Sequence, residues 1–171
     1  PSSDADRSVT LQPDNVRVSL AHYVGVSGSI EHESVRETTT LDGFPSKIGF
    51  GGALVAGRAI PLRRVSDGTS KTLLLGEKRM NVSLLGKMQA NDNEGYTCGW
   101  NHDIMRYTNR EPRPDFYHAS SIGEDRFGAS HPGGFHISLA DGSVHNIPYT
   151  IDLETFKRLG HRDDGQPVTL P

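Results

Sequence analysis

Eight histidines make metal coordination the first chemistry to weigh. Two alternating runs, Phe135-His136-Ile137-Ser138-Leu139-Ala140 and Ser143-Val144-His145-Asn146-Ile147, flank Asp141-Gly142, a pair that favours a tight two-residue hairpin turn. Such a hairpin brings His136 and His145 onto neighbouring strands with His131 just upstream. Neutral imidazoles, with Asp141 as a further donor, suit zinc, nickel or copper. The plainer structural alternative has His131 bonded to backbone beside Gly133 and Gly134, with His136 and His145 on a polar face. Oxygen donors for calcium exist at Asp67, Glu77, Asp141, Asp163 and Asp164, but no stretch alternates acids as a dedicated calcium loop does. Asp67 and Asp141 have a simpler use as turn formers whose carboxylates accept local backbone N–H bonds.

Nucleophilic catalysis finds little support. No Gly-x-Ser-x-Gly elbow occurs, and neither Cys98 nor any serine has activating neighbours in sequence. Gly49-Phe50-Gly51-Gly52 lacks the Lys-Ser/Thr pair of a phosphate loop. Tyr96, Trp100, Tyr107, Phe116 and Tyr117 punctuate a stretch rich in Asn, Asp, Gly, Arg and Pro, where they are expected to anchor irregular chain to the core; Trp100, Tyr96, Tyr107 and Tyr117 could also stack on a sugar or a partner. No enzyme and no bound cofactor is expected, with calcium or a transition metal as the alternative.

The totals set the frame for these residues. The 171 residues fit one domain, 1–171, able to bury its own core. With 19 Gly and 10 Pro, short elements and long loops are favoured over long helices. A formal charge of −3 without basic clustering argues against nucleic acid as a partner. A single cysteine excludes an internal disulfide or a cysteine-based zinc cage. No apolar run approaches the length that crosses a bilayer, and Pro1-Ser2-Ser3-Asp4 does not resemble a signal peptide.

The elements follow from periodicity. Val16 to Val24 alternates as a half-buried strand, and 27–57 turns repeatedly at glycines and forms a surface excursion. Ser66-Asp67-Gly68-Thr69-Ser70 forms a turn or helix cap, and Thr72-Leu73-Leu74-Leu75-Gly76-Glu77 a buried strand. In the hairpin, Phe135, Ile137, Leu139, Val144 and Ile147 are assigned to the core, and His136, Ser138 and His145 to the outside. Asp152 to Gly160 has acids first, bases last and apolar residues at helical spacing, which predicts a short helix.

Two runs resemble signatures of the planctomycete prepilin-like family. Val65-Ser66-Asp67-Gly68-Thr69-Ser70-Lys71-Thr72-Leu73-Leu74-Leu75-Gly76-Glu77 is similar to its Asp-Gly-Thr-Ser-Asn-Thr motif with aliphatic residues and a glutamate, Lys71 standing where Asn is usual. His131-Pro132-Gly133-Gly134 through Asp141-Gly142-Ser143-Val144 is similar to its closing motif of His, nine residues, then Asp-Gly. Pro1-Ser2-Ser3-Asp4 resembles a Pro-Ser-Asp stretch that follows a cysteine in the family; Cys98 reads first as a small buried apolar residue, and the resemblance offers pairing with such a cysteine in a longer chain as the second reading.

What the resemblance implies is an α+β, pseudopilin-like head with an antiparallel sheet, long loops and a short C-terminal helix. The family's N-terminal hydrophobic helix, which inserts in the membrane and packs subunits together, is absent from this sequence. The implied role is that of a structural subunit of a type IV pilin-like or type II secretion-like system, in the periplasm or at the cell surface. Its partners would be other pilin-like subunits or secretion components, and the membrane only through that helix. The second reading is an extracellular solute-binding module for carbohydrate or metal. Asp67, Gly68, Thr69, Ser70, Thr72, Glu77, His131, Pro132, Gly133, Gly134, Asp141 and Gly142 are the motif positions; His131, His136, His145 and Asp141 are the metal candidates.

Overall fold

The computed structural model describes residues 8–11, 16–19, 23–26, 28, 51–55, 59–93, 103–119 and 124–171. It is an α+β fold. Two strands, β1 (Ser8–Leu11) and β2 (Val16–Ser19), pair antiparallel as a separate ribbon. The main sheet contains β3 (Tyr23–Val26), β4 (Leu73–Glu77), β5 (Met105–Arg106), β6 (Gly134–Leu139) and β7 (Val144–Pro148) in the order β5-β3-β4-β6-β7. All its pairs are antiparallel except β3 with β5, so the sheet is mixed rather than antiparallel throughout.

The alternation from Val16 to Val24 is divided between two sheets. β2 takes β1 as its partner, whereas Tyr23–Val26 inserts between β4 and β5 and buries Val24 and Val26. A helix, α1 (Leu153–Leu159), follows β7. Asp152 caps it by accepting the Thr155 N–H at 2.9 Å, and Glu154 in the first turn with Lys157 and Arg158 in the last complements the helix dipole.

α1 covers one sheet face. Phe156 meets Phe127 edge-on at 5.7 Å and Phe135 at 6.0 Å, with Leu73, Ile137, Leu139, Ile147 and Leu159 completing a core closed to solvent. Aromatic edge-to-face contacts of this kind add to the burial of their area. The surface excursion expected over 27–57 lies largely outside the described residues, as do Tyr96, Cys98 and Trp100. Of the other aromatic anchors, Tyr107 is buried, while Tyr117 is exposed and Phe116 lies 4.4 Å beneath the Arg79 guanidinium.

The β6–β7 hairpin forms where the alternation places it, with a different turn. Gly142 N–H donates to Leu139 C=O and Leu139 N–H to Ser143 C=O, each at 2.9 Å, so the loop is Ala140-Asp141-Gly142. Gly142 has φ 86°, and Asn91 is the only non-glycine with positive φ among the described residues; a two-residue type I′ turn, which requires positive φ at Asp141, is thereby excluded. Ala140 and Asp141 instead give their N–H groups to Thr72 and Thr69 carbonyls, which draws them toward the neighbouring turn. Val144 also departs from expectation: it pairs with Ser138 on the outer face and is 67% exposed. Val144 and Ile147 are three residues apart, and a period of two cannot place both inward.

Candidate functional site

The two motif runs are antiparallel neighbours from Thr69 to Glu77 on one and His136 to Asp141 on the other, with a register shift between Leu73 and Leu75. Leu73 pairs with Leu139 and Gly76 with Ile137, while Ala140 N–H reaches Thr72 C=O at 2.8 Å and Asp141 N–H reaches Thr69 C=O at 3.1 Å. Motif residues that are far apart in sequence therefore meet at both ends of one strand pair.

At the turn end their work is structural. Asp67 accepts from Asp164 N–H at 2.8 Å and Gly165 N–H at 3.0 Å, so its buried carboxylate fastens the C-terminal segment rather than its own turn. Thr72 Oγ1 donates to Gly68 C=O, and Gly68 takes φ 105°, a conformation that disfavours a side chain. Burial and the hydrogen-bonded contact with Asp67 raise the pKa of Asp164. Asp141 accepts both the N–H and the hydroxyl of Ser143, and the hydroxyl bond leads in lowering its pKa. Ser143 Oγ lies 3.0 Å from His145 Nε2.

At the other end three potential ligands converge. The β4–β6 ladder stops at Gly76–Ile137, and the Glu77 carboxylate takes the next N–H, that of His136, at 2.7 Å. Glu77 Oε2 lies 3.3 Å from His136 Nδ1, Glu77 Oε1 3.6 Å from His131 Nε2, and the two imidazoles meet edge-on at 4.9 Å. One ligand atom from each of the three side chains lies within 4.8 Å of the other two.

The chain around this cluster is well fixed. Gly128 N–H donates to Glu77 C=O at 2.9 Å. Tyr149 Oη donates to Ala129 C=O and accepts Ala129 N–H, while Asp115 accepts Met80 N–H and the Ser130 hydroxyl, so the residues leading into His131 are held from two sides. Burial raises the Tyr149 pKa, which keeps its donor in place. Gly134 closes the turn because a Cβ there would stand 2.3 Å from the Ile147 carbonyl oxygen; Gly133 and Pro132 are exposed.

Thus the structure brings His131 and His136 together, with Glu77 as the third donor in place of His145 and Asp141. The hairpin register explains this. His136 pairs with Asn146 and His145 with Ile137, so period-two alternation sends the two histidines to opposite faces. The signal for Glu77 was present in its place at the end of a motif strand, but pairing of the two motifs is needed to see its neighbours.

Immediately beside Glu77, a buried polar network had no sequence signal. Lys78 Nζ donates to Asp92 Oδ1 at 2.5 Å and to Asp103 C=O at 3.0 Å. Arg106, also buried, donates to the carbonyls of Met105, Asn91 and Glu124, and its Nε has no partner among the described residues. Burial lowers the Arg106 pKa to about 10 against the opposing pull of Asp125, Asp103 and Asp92. These residues come from separate parts of the sequence, and their bonds tie Asn91, Asp92, Asp103 and β5 to the end of β4.

The remaining feature is the sheet face opposite α1. Gly25, Leu75, Ser138 and Val144 form a cross-strand row, and Tyr23, Glu77, His136 and Asn146 lie along the next. Leu75 is 39%, Tyr23 55% and Val144 67% exposed.

A five-stranded α+β domain bearing two interlocked motifs and a Glu-His-His cluster is the class of protein these observations define. A family model described as a protein of unknown function (DUF1559), short name SBP_bac_10, matches residues 36–154, which contain both motifs, and the chain belongs to that family. Comparison with curated proteins and with solved structures gave no match.

Proposed function

We propose that this domain is a non-catalytic assembly head, the soluble part of a pilin-like or secretion-associated subunit that docks against other such subunits in the periplasm or at the cell surface. The observation that carries this reading is the open sheet face with Leu75, Val144 and Tyr23 exposed across three strands. Several large apolar side chains exposed on one sheet face are the kind of surface that a partner covers. The resemblance of the two motif runs to prepilin-like signatures points the same way.

The test is a photo-crosslinking amino acid placed at Val144 in cells producing the full-length protein, with Thr150 as an exposed control. Crosslinks from Val144 to a second copy or another pilin-like subunit are expected, and Leu75→Ser should abolish them. No crosslink from Val144, or equal crosslinking from Thr150, overturns the reading.

A second reading, a solute-binding module, is favoured by the Glu77, His131 and His136 cluster and agrees with the family's short name. It differs in requiring a ligand at that end of the sheet rather than a protein on its face.

A further inference from the structure

We propose that Glu77, His131 and His136 form a binding site for one divalent transition-metal ion with zinc-like coordination, leaving a fourth position for water. The inference rests on different side chains from the assembly reading, although Glu77 and His136 share a sheet face with Leu75 and Val144 and lie in the row next to theirs.

Geometry supplies the first argument. Two donors each about 2.1 Å from a tetrahedral ion stand about 3.4 Å apart. The Glu77 carboxylate oxygens lie 3.3 Å from His136 Nδ1 and 3.6 Å from His131 Nε2. The two distances involve different carboxylate oxygens, Oε2 and Oε1, and one ligand atom from each side chain lies within 4.8 Å of the other two; drawing them onto one ion takes side-chain rotations, which the half-exposed imidazoles allow, at 52% for His131 and 43% for His136.

Chemistry supplies the second. Two imidazole nitrogens and one carboxylate suit zinc and its neighbours, whereas calcium and magnesium take oxygen ligands throughout. Among the described residues, both imidazoles face the Glu77 carboxylate, at 3.3 Å and 3.6 Å.

Preorganisation is the third argument. The Glu77 carboxylate is oriented by the His136 N–H, the kind of outer contact that fixes a metal ligand. Tyr149 and Asp115 clamp Ala129 and Ser130, so His131 projects from a braced turn rather than from a loose loop.

The experiment titrates zinc chloride into the chelator-treated chain, read by calorimetry and native mass spectrometry, with calcium chloride in parallel. One zinc per chain is expected, with at least about tenfold weaker binding for His131→Ala and Glu77→Gln, a loss no smaller than that from removing an outer-shell partner. His145→Ala should bind as the parent does. Cobalt(II) at the same site should give the intense visible absorption of a four-coordinate ion. Circular dichroism and the melting temperature of His131→Ala should match the parent, because the side chain is exposed and replaces no structural bond. The proposal is overturned by the absence of stoichiometric zinc, by equal weakening in His145→Ala, by undiminished binding in the double variant His131→Ala/Glu77→Gln, or by calcium binding as tightly as zinc.

Discussion

Asp67 and Glu77 bracket one motif, and each uses its carboxylate to hold backbone from a distant part of the chain. Asp67 takes two N–H groups of the C-terminal segment, and Glu77 takes that of His136. Hydrogen bonds to a charged acceptor in a water-poor site contribute more than neutral ones, and removing the acceptor leaves the donors to find water. Asp67→Ala is therefore expected to destabilise the fold by about 2–4 kcal/mol, measured by urea unfolding, with Asp67→Asn intermediate because one oxygen still accepts. The candidate site was partly legible in the same terms. His131 and Glu77 were visible as motif positions and His136 as a metal candidate, whereas their grouping was not, since it depends on which strands pair. His145 illustrates the limit: one residue of register decides which face it takes, and the turn that sets the register was read as two residues when it is three.

Elements with local rules were the most legible. The strand at Leu73–Glu77 follows from a short apolar run bounded by turn signals, the hairpin from alternation on either side of Asp-Gly, and α1 from helix-end chemistry. Division of the first alternating run between two sheets was not legible, because partner choice is a property of the other strands. The helix cap carries a pH signature. The Thr155 N–H is the leading cause holding the Asp152 carboxyl below its usual range, so the folded value lies below the unfolded one. Its stabilisation is complete above about pH 4 and is lost as pH falls through the folded value. Asp152→Asn, which keeps a capping oxygen without the charge, should flatten the fall of melting temperature between about pH 5 and pH 2 relative to the parent. An unchanged acid slope would show that α1 does not depend on that charge.

Across the whole molecule, the sheet is centred on β4 and β6, whose sequences are separated by a long stretch that holds β5 and the Lys78, Asp92 and Arg106 network. The motif pair sets the frame and this stretch is fitted to it. Closing a loop costs entropy that grows only slowly with length, about 0.6 kcal/mol for each doubling. A six-residue Gly-Ser insert between Gly86 and Lys87, in an exposed turn, should therefore lower stability by less than about 1 kcal/mol, and amide exchange in β4 and β6 should stay slow. Rapid exchange in β6 after insertion would mean that the irregular stretch, not the motif pair, holds the sheet together.

The pairing of β4 with β6 also sets an order of events during synthesis. β3 and β4 emerge early, but the edge of β4 that receives β6 stays bare until residue 139 has been made. At about 5–20 residues per second, the roughly 62 residues from Glu77 to Leu139 take about 3–12 seconds. For that interval the nascent chain displays an apolar strand with open hydrogen-bonding groups, a surface suited to a holding chaperone. The closing motif is what covers that edge.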